Sequence, residues 1–175
     1  MKLFLSLDLS AQVKNSLNVL AKTLPYFDHS IFSLVPKENY HLTLRFFPNS
    51  KPSELISLMD KIQFDAFSFS LEGVGVFPNV ENPRVIWVGV AQKQIFRQIS
   101  SHLDGIFPSD KNADFIPHVT IARLKKKFAL GGWISKNSSF VSVPVFAEKV
   151  SLYQSVSLSD SVKYDLLSSI NLKKI

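Results

Sequence analysis

The chain has 175 residues, enough for one well-buried domain or for one domain of two small lobes. A hydrophobic fraction of 46% excludes a disordered chain, and 20 Lys and Arg against 14 Asp and Glu give a formal net charge of +6, which favours polyanionic partners. The absence of cysteine excludes a disulfide framework, a thiolate nucleophile and cysteine-based zinc sites.

The first eight residues resemble the start of a signal peptide, with a Lys followed by a mostly apolar run. Asp8 ends their apolar run too early, however, and no small-residue cleavage site follows. No apolar run approaches the ~18 residues of a membrane span. We therefore expect a cytoplasmic protein with no membrane partner.

Hydrophobic patterning predicts strands and helices in turn along the first part of the chain. Leu3–Leu9 alternates as a strand, and Ser10 is a suitable N-cap for a helix that Pro25 would end. The further elements predicted here are a short strand over Ile31–Val35, a strand over Tyr40–Phe47 and a helix that begins at Pro52.

The second part of the chain is richer in strands. The strands predicted there span Phe67–Leu71, Val85–Val90, His118–Ala122, Val141–Val150 and Lys163–Leu167. A helical stripe of Ile95, Ile99 and Leu103 lies among them and ends near Gly105. Strands mixed with amphipathic helices and tight turns predict an α+β fold with largely antiparallel sheets.

One four-residue pattern occurs twice, as HLTL over His41–Leu44 and as HVTI over His118–Ile121. Each copy has a His and a Thr two residues apart, with apolar residues between and after them. Because a strand turns successive side chains to opposite faces, the His and Thr of each copy share one face. By the same rule Arg45 shares the face of the first copy. The repetition suggests a cleft with one His–Thr pair on each wall.

Such a cleft suits acid–base chemistry on a phosphate. An imidazole near its ordinary pKa of ~6.5 both accepts and donates a proton near neutrality, so His41 and His118 could serve as a base and an acid. The hydroxyls of Thr43 and Thr120 can donate to phosphoryl oxygens. Arg123, at the end of the second motif strand, can add charge-assisted contacts, and Arg45 is a further possible substrate contact.

Other candidate residues have simpler interpretations. His29 and His102 lack the motif and are expected at the surface, and Asp8 could orient a catalytic group or cap a helix. The basic run Lys125, Lys126 and Lys127 is more typical of a solvated turn, although its place after the second motif makes a substrate contact worth testing. The aromatic residues expected in the core rather than as base-stacking platforms are Phe46, Phe69 and Trp87.

A metal or another cofactor is not expected. The two motif histidines have no obvious third ligand, and threonine is a poor ligand for zinc. The sequence contains no His-Glu-x-x-His, Walker or glycine-rich dinucleotide motif, and no Gly-x-Ser-x-Gly elbow.

The chain resembles the 2H phosphoesterase superfamily, which is defined by paired His-x-Thr-x motifs. Within it, the chain is similar to the bacterial and archaeal RNA 2′,3′-cyclic phosphodiesterases, also called 2′-5′ RNA ligases. The segments that carry the resemblance are Pro36–Phe46, Pro117–Arg123, Gly75–Pro78, Pro83–Gly89 and Leu3–Leu9. They extend over essentially the whole chain.

The resemblance implies one bilobal domain over residues 1–175, with two pseudo-symmetric lobes of mainly antiparallel sheet, outer helices and a central cleft. It implies metal-free hydrolysis of a terminal 2′,3′-cyclic phosphate of RNA, or of a nucleotide with that end, to a 2′-phosphate. His41 would donate a proton to the 3′ oxygen and His118 would accept one from water. Thr43, Thr120 and Arg123 would hold the phosphate. We expect the protein to be a monomer.

The chain departs from the family pattern at two places beside the first motif. Leu34 stands where the family often has Trp, and Phe47-Pro48 stands where it often has Leu-Gly. We therefore carry over the chemistry but not the RNA length or base preference. Two alternative functions stay open: a 2′-5′ RNA ligase working in the reverse direction, and a nucleotide- or RNA-binding module without catalysis.

Overall fold

The computed structural model describes residues 2–24, 30–107, 115–157 and 162–173. Its elements, in chain order, are β1 (Lys2–Asp8), α1 (Ala11–Ala21), β2 (Phe32–Leu34), a 3-10 turn (Lys37–Asn39), β3 (His41–Phe47), α2 (Pro52–Met59), β4 (Phe67–Phe69), β5 (Leu71–Phe77), β6 (Val85–Val90), α3 (Lys93–Ile106), β7 (Val119–Leu124), α4 (Gly131–Asn137), β8 (Val145–Ala147), β9 (Lys149–Ser157) and β10 (Val162–Asn171).

The strands form two four-stranded sheets and one small two-stranded sheet. The first sheet has the order β10-β9-β1-β3 and the second has the order β2-β7-β6-β5, while β4 pairs with β8. All neighbouring strands within these sheets are antiparallel. The predicted α+β class with largely antiparallel sheets is confirmed.

The two large sheets repeat one arrangement, which makes the two lobes pseudo-symmetric. In the first lobe, β1 leads through α1 to β3, which carries the first motif and pairs with β1. In the second lobe, β6 leads through α3 to β7, which carries the second motif from Val119 and pairs with β6. Pairing with β1 therefore positions the first motif strand, β3, and pairing with β6 positions the second motif strand, β7.

A β-bulge interrupts each motif strand at the same motif position. Opposite β1, Thr43 pairs with Ser6 and Arg45 pairs with Leu5, so the intervening Leu44 has no partner. Opposite β6, Thr120 pairs with Trp87 and Ala122 pairs with Ile86, so Ile121 is the extra residue. Because a bulge adds one residue, it displaces the alternation of all side chains that follow it.

The helices cover the outer faces of the sheets through stripes that the sequence predicted. The Ser10 hydroxyl caps α1 by accepting the Val13 amide at 3.3 Å. The predicted stripe of α3 is buried through Ile99 and Leu103. The short helix α4 was not predicted because it begins with two glycines. Its position is fixed by Trp133, whose indole donates to Thr23 Oγ1 at 3.0 Å.

Buried apolar side chains from both large sheets and from α1, α2 and α3 form one cluster. Along β1, Leu3, Leu5 and Leu7 are buried in this cluster. The residues between them therefore face the other side of the sheet, where Phe4 meets the first motif. No helix of the described ranges is long and apolar enough to cross a membrane.

Candidate active site

Both motifs line one cleft of about 780 Å³ between the two large sheets. The first sheet contributes His41 and Thr43 to its wall, and the second contributes His118, Thr120 and Arg123. The structure thus brings together five of the residues that the sequence singled out. The other lining residues are Lys2, Phe4, Ser33, Leu34, Val35, Pro36, Asn39, Phe46, Ser155, Ser157, Val162 and Tyr164.

The two imidazoles are held by the same backbone contact. His41 Nδ1 lies 2.7 Å from the carbonyl oxygen of Asn39, and His118 Nδ1 lies 2.7 Å from that of Ile116. A carbonyl oxygen only accepts hydrogen bonds, so Nδ1 must carry the proton in both rings. The Nε2 atom of each ring is therefore left to exchange protons, which fixes the tautomer needed for acid–base work.

Aromatic side chains hold each imidazole in place. The ring of His41 stacks on Phe4 with centroids 4.7 Å apart and meets the edge of Tyr164 at 5.0 Å. Its Nε2 lies 3.0 Å from Thr43 Oγ1. The ring of His118 packs in an edge contact with Phe77 at 5.0 Å and lies 6.0 Å from the ring of Trp87.

Burial lowers the pKa of both histidines from the ordinary value of 6.5. For His41, the hydrogen bond to Asn39 and the charge of Asp8 raise the pKa, while the charges of Lys14 and His118 lower it further. For His118, the hydrogen bond to Ile116 raises the pKa and the charge of Arg123 lowers it. Each ring is therefore harder to protonate than a free imidazole, and a proton on one opposes a proton on the other.

The bulges decide which residues beyond the motifs face the cleft. Arg123 lies five residues after His118 and would face away from it in a regular strand. The extra residue Ile121 returns Arg123 to the cleft side, where it lines the wall. In the first lobe the same offset of five residues brings Phe46 to the cleft side.

Arg45 does not face the cleft, and the expectation that it shares the face of His41 is wrong. The bulge at Leu44 turns Arg45 into the core, where its side chain is 1% exposed. There its guanidinium pairs with Asp104 at 2.6 Å and donates to the carbonyl oxygen of Ser100 at 3.1 Å. Arg45 therefore ties β3 to α3 and is not among the residues that line the cleft.

The basic run after β7 lies outside the cleft lining. Lys125, Lys126 and Lys127 are exposed in the bend that follows β7. The main-chain amide of Lys125 donates to the carbonyl oxygen of Ile31 at 2.8 Å. A contact of these lysines with flanking phosphates stays a prediction.

The aromatic residues divide between core and cleft. Phe69 is 1% exposed, as predicted for the core. The same prediction is wrong for Phe46, which is 47% exposed and lines the cleft because of the bulge. Trp87 is half-buried and lies beside His118 rather than in the centre of the core.

Sequence reasoning also missed Lys2 and Tyr164 as cleft residues. Lys2 precedes the buried leucines of β1, and its alternation with them was a usable signal for its face. Tyr164 comes from β10, which lies at the far edge of the first sheet, so no local pattern points to it. Among the remaining histidines, His102 lies in α3 and accepts the Gln63 amide at 3.1 Å, and His29 lies outside the described residues.

Asp8 orients neighbouring polar groups rather than capping α1. Its carboxylate accepts hydrogen bonds from Ser151 and Tyr153, each at 3.0 Å, and forms an ion pair with Lys149 at 3.2 Å. The cap of α1 is Ser10. Burial lowers the pKa of His41, and the charge of Asp8 acts against that lowering.

Of the two departures from the family pattern, one lies at the cleft. Leu34 lines the cleft beside Ser33 and Val35, so its identity shapes the rim. Phe47 is fully buried and packs edge-on against Phe107 at 5.0 Å, away from the site. Within the described ranges no three His, Cys, Asp or Glu side chains group as metal ligands, and metal independence stays a prediction to be tested.

Two facing sheets, each with a His-x-Thr motif on a bulged strand, define a phosphoesterase of the 2H class. A family model described as LigT like phosphoesterase matches residues 7–87. The chain is 30% identical over 176 residues to the RNA 2′,3′-cyclic phosphodiesterase of Methanocaldococcus jannaschii, covering 95% of this chain and 98% of that protein. It is 32% identical over 135 residues to the protein of the same name from Archaeoglobus fulgidus, covering 73% of this chain and 74% of that protein. The chain belongs to the LigT-like phosphoesterase family.

Solved structures share the fold at lower identity. The structure of TT0787 of Thermus thermophilus superposes with a TM-score of 0.79 at 21% identity and covers 99% of both chains. The apo form of E. coli LigT gives a TM-score of 0.75 at 23% identity, covering 98% of this chain and 97% of that one. These likenesses concern the fold.

Proposed function

We propose that the protein is a hydrolase that opens the terminal 2′,3′-cyclic phosphate of RNA to a 2′-phosphate. The observation that carries the proposal is the pair of imidazoles on opposite walls of the cleft, each with Nδ1–H bound to a backbone carbonyl, so that Nε2 is the atom that exchanges protons. The family membership and the shared name of the relatives support this activity.

The reaction needs one protonated and one neutral imidazole at the start. Water attacks phosphorus while His118 Nε2 takes one of its protons, and a new P–O bond forms. The bond between phosphorus and the 3′ oxygen breaks as His41 Nε2 gives its proton to that oxygen. The product is a 2′-phosphate beside a free 3′ hydroxyl, and a proton transfer through solvent restores the two histidines.

Opposing charges act on the pKa of His41, and one positive charge acts on the pKa of His118. Burial lowers the pKa of both, but the carboxylate of Asp8 raises the pKa of His41 and the guanidinium of Arg123 lowers that of His118. Lys14 works against Asp8 at His41. The assignment of the acid to His41 and of the base to His118 therefore follows the family resemblance, and the pH dependence of the two variants tests it.

The remaining cleft residues would hold the substrate. Arg123 supplies the positive charge nearest the second motif, and Thr43 and Thr120 supply hydroxyls, so we assign these three to the phosphoryl oxygens. Phe46 presents an exposed ring at the cleft and would stack on the terminal base. We further propose a monomer whose 175 residues act as one two-lobed domain and whose RNA chemistry takes place in the cytoplasm.

The direct test is product identity. An RNA oligonucleotide with a 2′,3′-cyclic phosphate end is incubated with the protein in a chelator, and the product is assigned by phosphorus NMR. A 2′-phosphate is expected, at a rate that the chelator leaves unchanged. A 3′-phosphate would contradict the proposed roles of the two histidines. The absence of turnover would contradict the proposed hydrolase and favour the binding module without catalysis. A 2′-5′ linkage formed with a second RNA would identify the ligase reaction instead.

A further inference from the structure

The cleft carries a second positive charge that the reaction does not use. Lys2 lies on β1 of the first sheet, whereas Arg123 lies on β7 of the second. Both line the cleft, and both are exposed. Among the described residues, Lys2 forms no ion pair. The described lining contains no carboxylate that could neutralise either cation.

Lys2 belongs to a row of polar side chains that crosses the first sheet. In the strand register, Lys2 pairs with Ser155 of β9, and Ser155 pairs with Tyr164 of β10. Directly paired residues of antiparallel strands point to the same face, so all three side chains face the cleft, which they also line. We call Lys2, Ser155 and Tyr164 the polar row.

The polar row begins beside the reacting groups. The ring of Tyr164 meets the ring of His41 and that of Phe4, with centroids 5.0 Å apart in both cases. Lys2 lies two residues from Phe4 along β1, or about 7 Å at the usual rise of a strand. The polar row therefore starts at Tyr164 beside His41 and extends to Lys2 on the face of the first sheet that lines the cleft.

The hydroxyls of the row are suited to donate to an anion. Burial raises the pKa of the Tyr164 phenol, although the charge of Arg123 lowers it, so the phenol stays protonated at neutral pH. Within the described residues, this hydroxyl has no hydrogen-bond partner. An ammonium and two hydroxyls on one face, with no acid among the described lining residues, fit a phosphate diester rather than a cation or an apolar group.

We propose that the polar row is the subsite for the nucleotide that precedes the cyclic-phosphate end, with Lys2 and the two hydroxyls bound to its phosphodiester. This proposal rests on the proposed function, because it takes the terminal phosphate to lie between His41 and His118. Arg123 then serves the reacting phosphate and Lys2 the next one along the strand. The RNA strand leaves the cleft along β1 and β9, and not toward Lys125–Lys127.

The test compares two substrates that differ by one phosphodiester. A mononucleoside 2′,3′-cyclic phosphate ends at the reacting group, whereas a dinucleotide with the same cyclic end adds the linkage assigned to Lys2. We expect Lys2→Ala to lower the ratio of kcat/KM for the dinucleotide to kcat/KM for the mononucleotide by roughly five- to tenfold at low salt. For the dinucleotide, the dependence of log kcat/KM on log salt should become shallower by about 0.7.

Two controls isolate the phosphodiester charge. Lys163→Ala removes an exposed lysine of β10 that is paired with Asp165 at 2.7 Å and does not line the cleft, so the ratio should not change. A dinucleotide with an uncharged methylphosphonate linkage should lose the wild-type preference, and Lys2→Ala should then have no further effect on it. Tyr164→Phe should lower the ratio in the same direction as Lys2→Ala.

The outcomes separate this subsite from the proposed function. If the wild-type protein turns over neither substrate, the proposed function fails. If it turns over both and Lys2→Ala leaves the ratio and the salt slope as in wild type, the polar row is not the subsite. A third variant neutralises Lys125–Lys127. If this variant loses the preference for the dinucleotide while Lys2→Ala keeps it, the RNA strand lies on the other side of the cleft.

Discussion

Arg45 and Phe46 are neighbours in the chain with opposite surroundings. The guanidinium of Arg45 is buried against Asp104, while the ring of Phe46 is 47% exposed in the cleft. A regular strand would have given the reverse arrangement. We therefore expect Arg45 to stabilise the fold and Phe46 to contact the substrate.

Replacement of Arg45 should destabilise the fold and spare the chemistry. In Arg45→Ala the buried cation is lost and its partner Asp104, about one-third exposed, keeps some contact with water. We expect a loss of about 2–4 kcal/mol in the free energy of unfolding, at or below the usual cost of breaking a buried ion pair. Urea denaturation measures it. A stable Arg45→Ala protein with kcat/KM reduced a hundredfold would show instead that Arg45 serves the site.

Replacement of Phe46 should show the opposite pattern. Phe46→Ala removes an exposed ring, so the free energy of unfolding should change little, while stacking on a base is worth roughly 1–3 kcal/mol. KM for a mononucleoside 2′,3′-cyclic phosphate should therefore rise, with kcat less affected. Phe146→Ala, which removes a ring that is 72% exposed outside the cleft lining, is the matched control. Equal kinetics in the two variants would exclude the stacking role.

At the scale of elements, the site depends on the paired bulges in β3 and β7. Leu44 and Ile121 each add one residue directly after a motif threonine. The motif side chains before the bulge face the cleft, the two residues at and after it are buried, and the next residue faces the cleft again. This offset brings Arg123 to the phosphate and Phe46 to the base in corresponding places of the two lobes.

The strand β5 supports the second motif through a glycine. Gly75 pairs with Trp87, and a Cβ at Gly75 would overlap the Trp87 indole, whose other neighbours include His118. We expect Gly75→Ala to displace the indole and lower kcat by about tenfold, since small displacements of a catalytic group are costly. Gly105→Ala in α3, where a Cβ meets open space, should keep wild-type kcat and is the control. Wild-type kcat in Gly75→Ala would show that the indole does not position His118.

Local patterns in the sequence predicted most of the elements and the shared face of each His–Thr pair. They did not predict the bulges, because Leu44 and Ile121 fit a regular apolar alternation as well as a bulged one. Because the bulge at Leu44 was not predicted, Arg45 was wrongly expected to face the cleft and Phe46 was wrongly expected in the core. The roles of Lys2 and Tyr164 depend on the pairing of β1, β9 and β10, which lie far apart in the chain.

For the whole molecule, the buried imidazoles make stability depend on pH. Burial lowers the folded-state pKa of His41 and His118 below 6.5, so the unfolded chain binds their protons more readily. The stability that they contribute is complete above pH 6.5 and is lost as the pH falls from there toward the folded-state values. Tm should therefore fall over this range, and less in a His41→Asn, His118→Asn double variant. An equal fall in both proteins would contradict the assigned direction.

The central claim is that His41 and His118 divide acid and base work, and the pH–rate profile tests it most directly. We would measure kcat/KM for a mononucleoside 2′,3′-cyclic phosphate from about pH 4 to pH 8 for the wild-type protein, His41→Ala and His118→Ala, because burial lowers both pKa values below 6.5. The wild-type profile should be bell-shaped, and each variant should lose about 10²–10⁴-fold at the optimum. His41→Ala should lose the alkaline limb, where an acid must stay protonated, and His118→Ala should lose the acidic limb, where a base must stay neutral. Near-normal activity in either variant, or loss of the opposite limbs, would contradict the account.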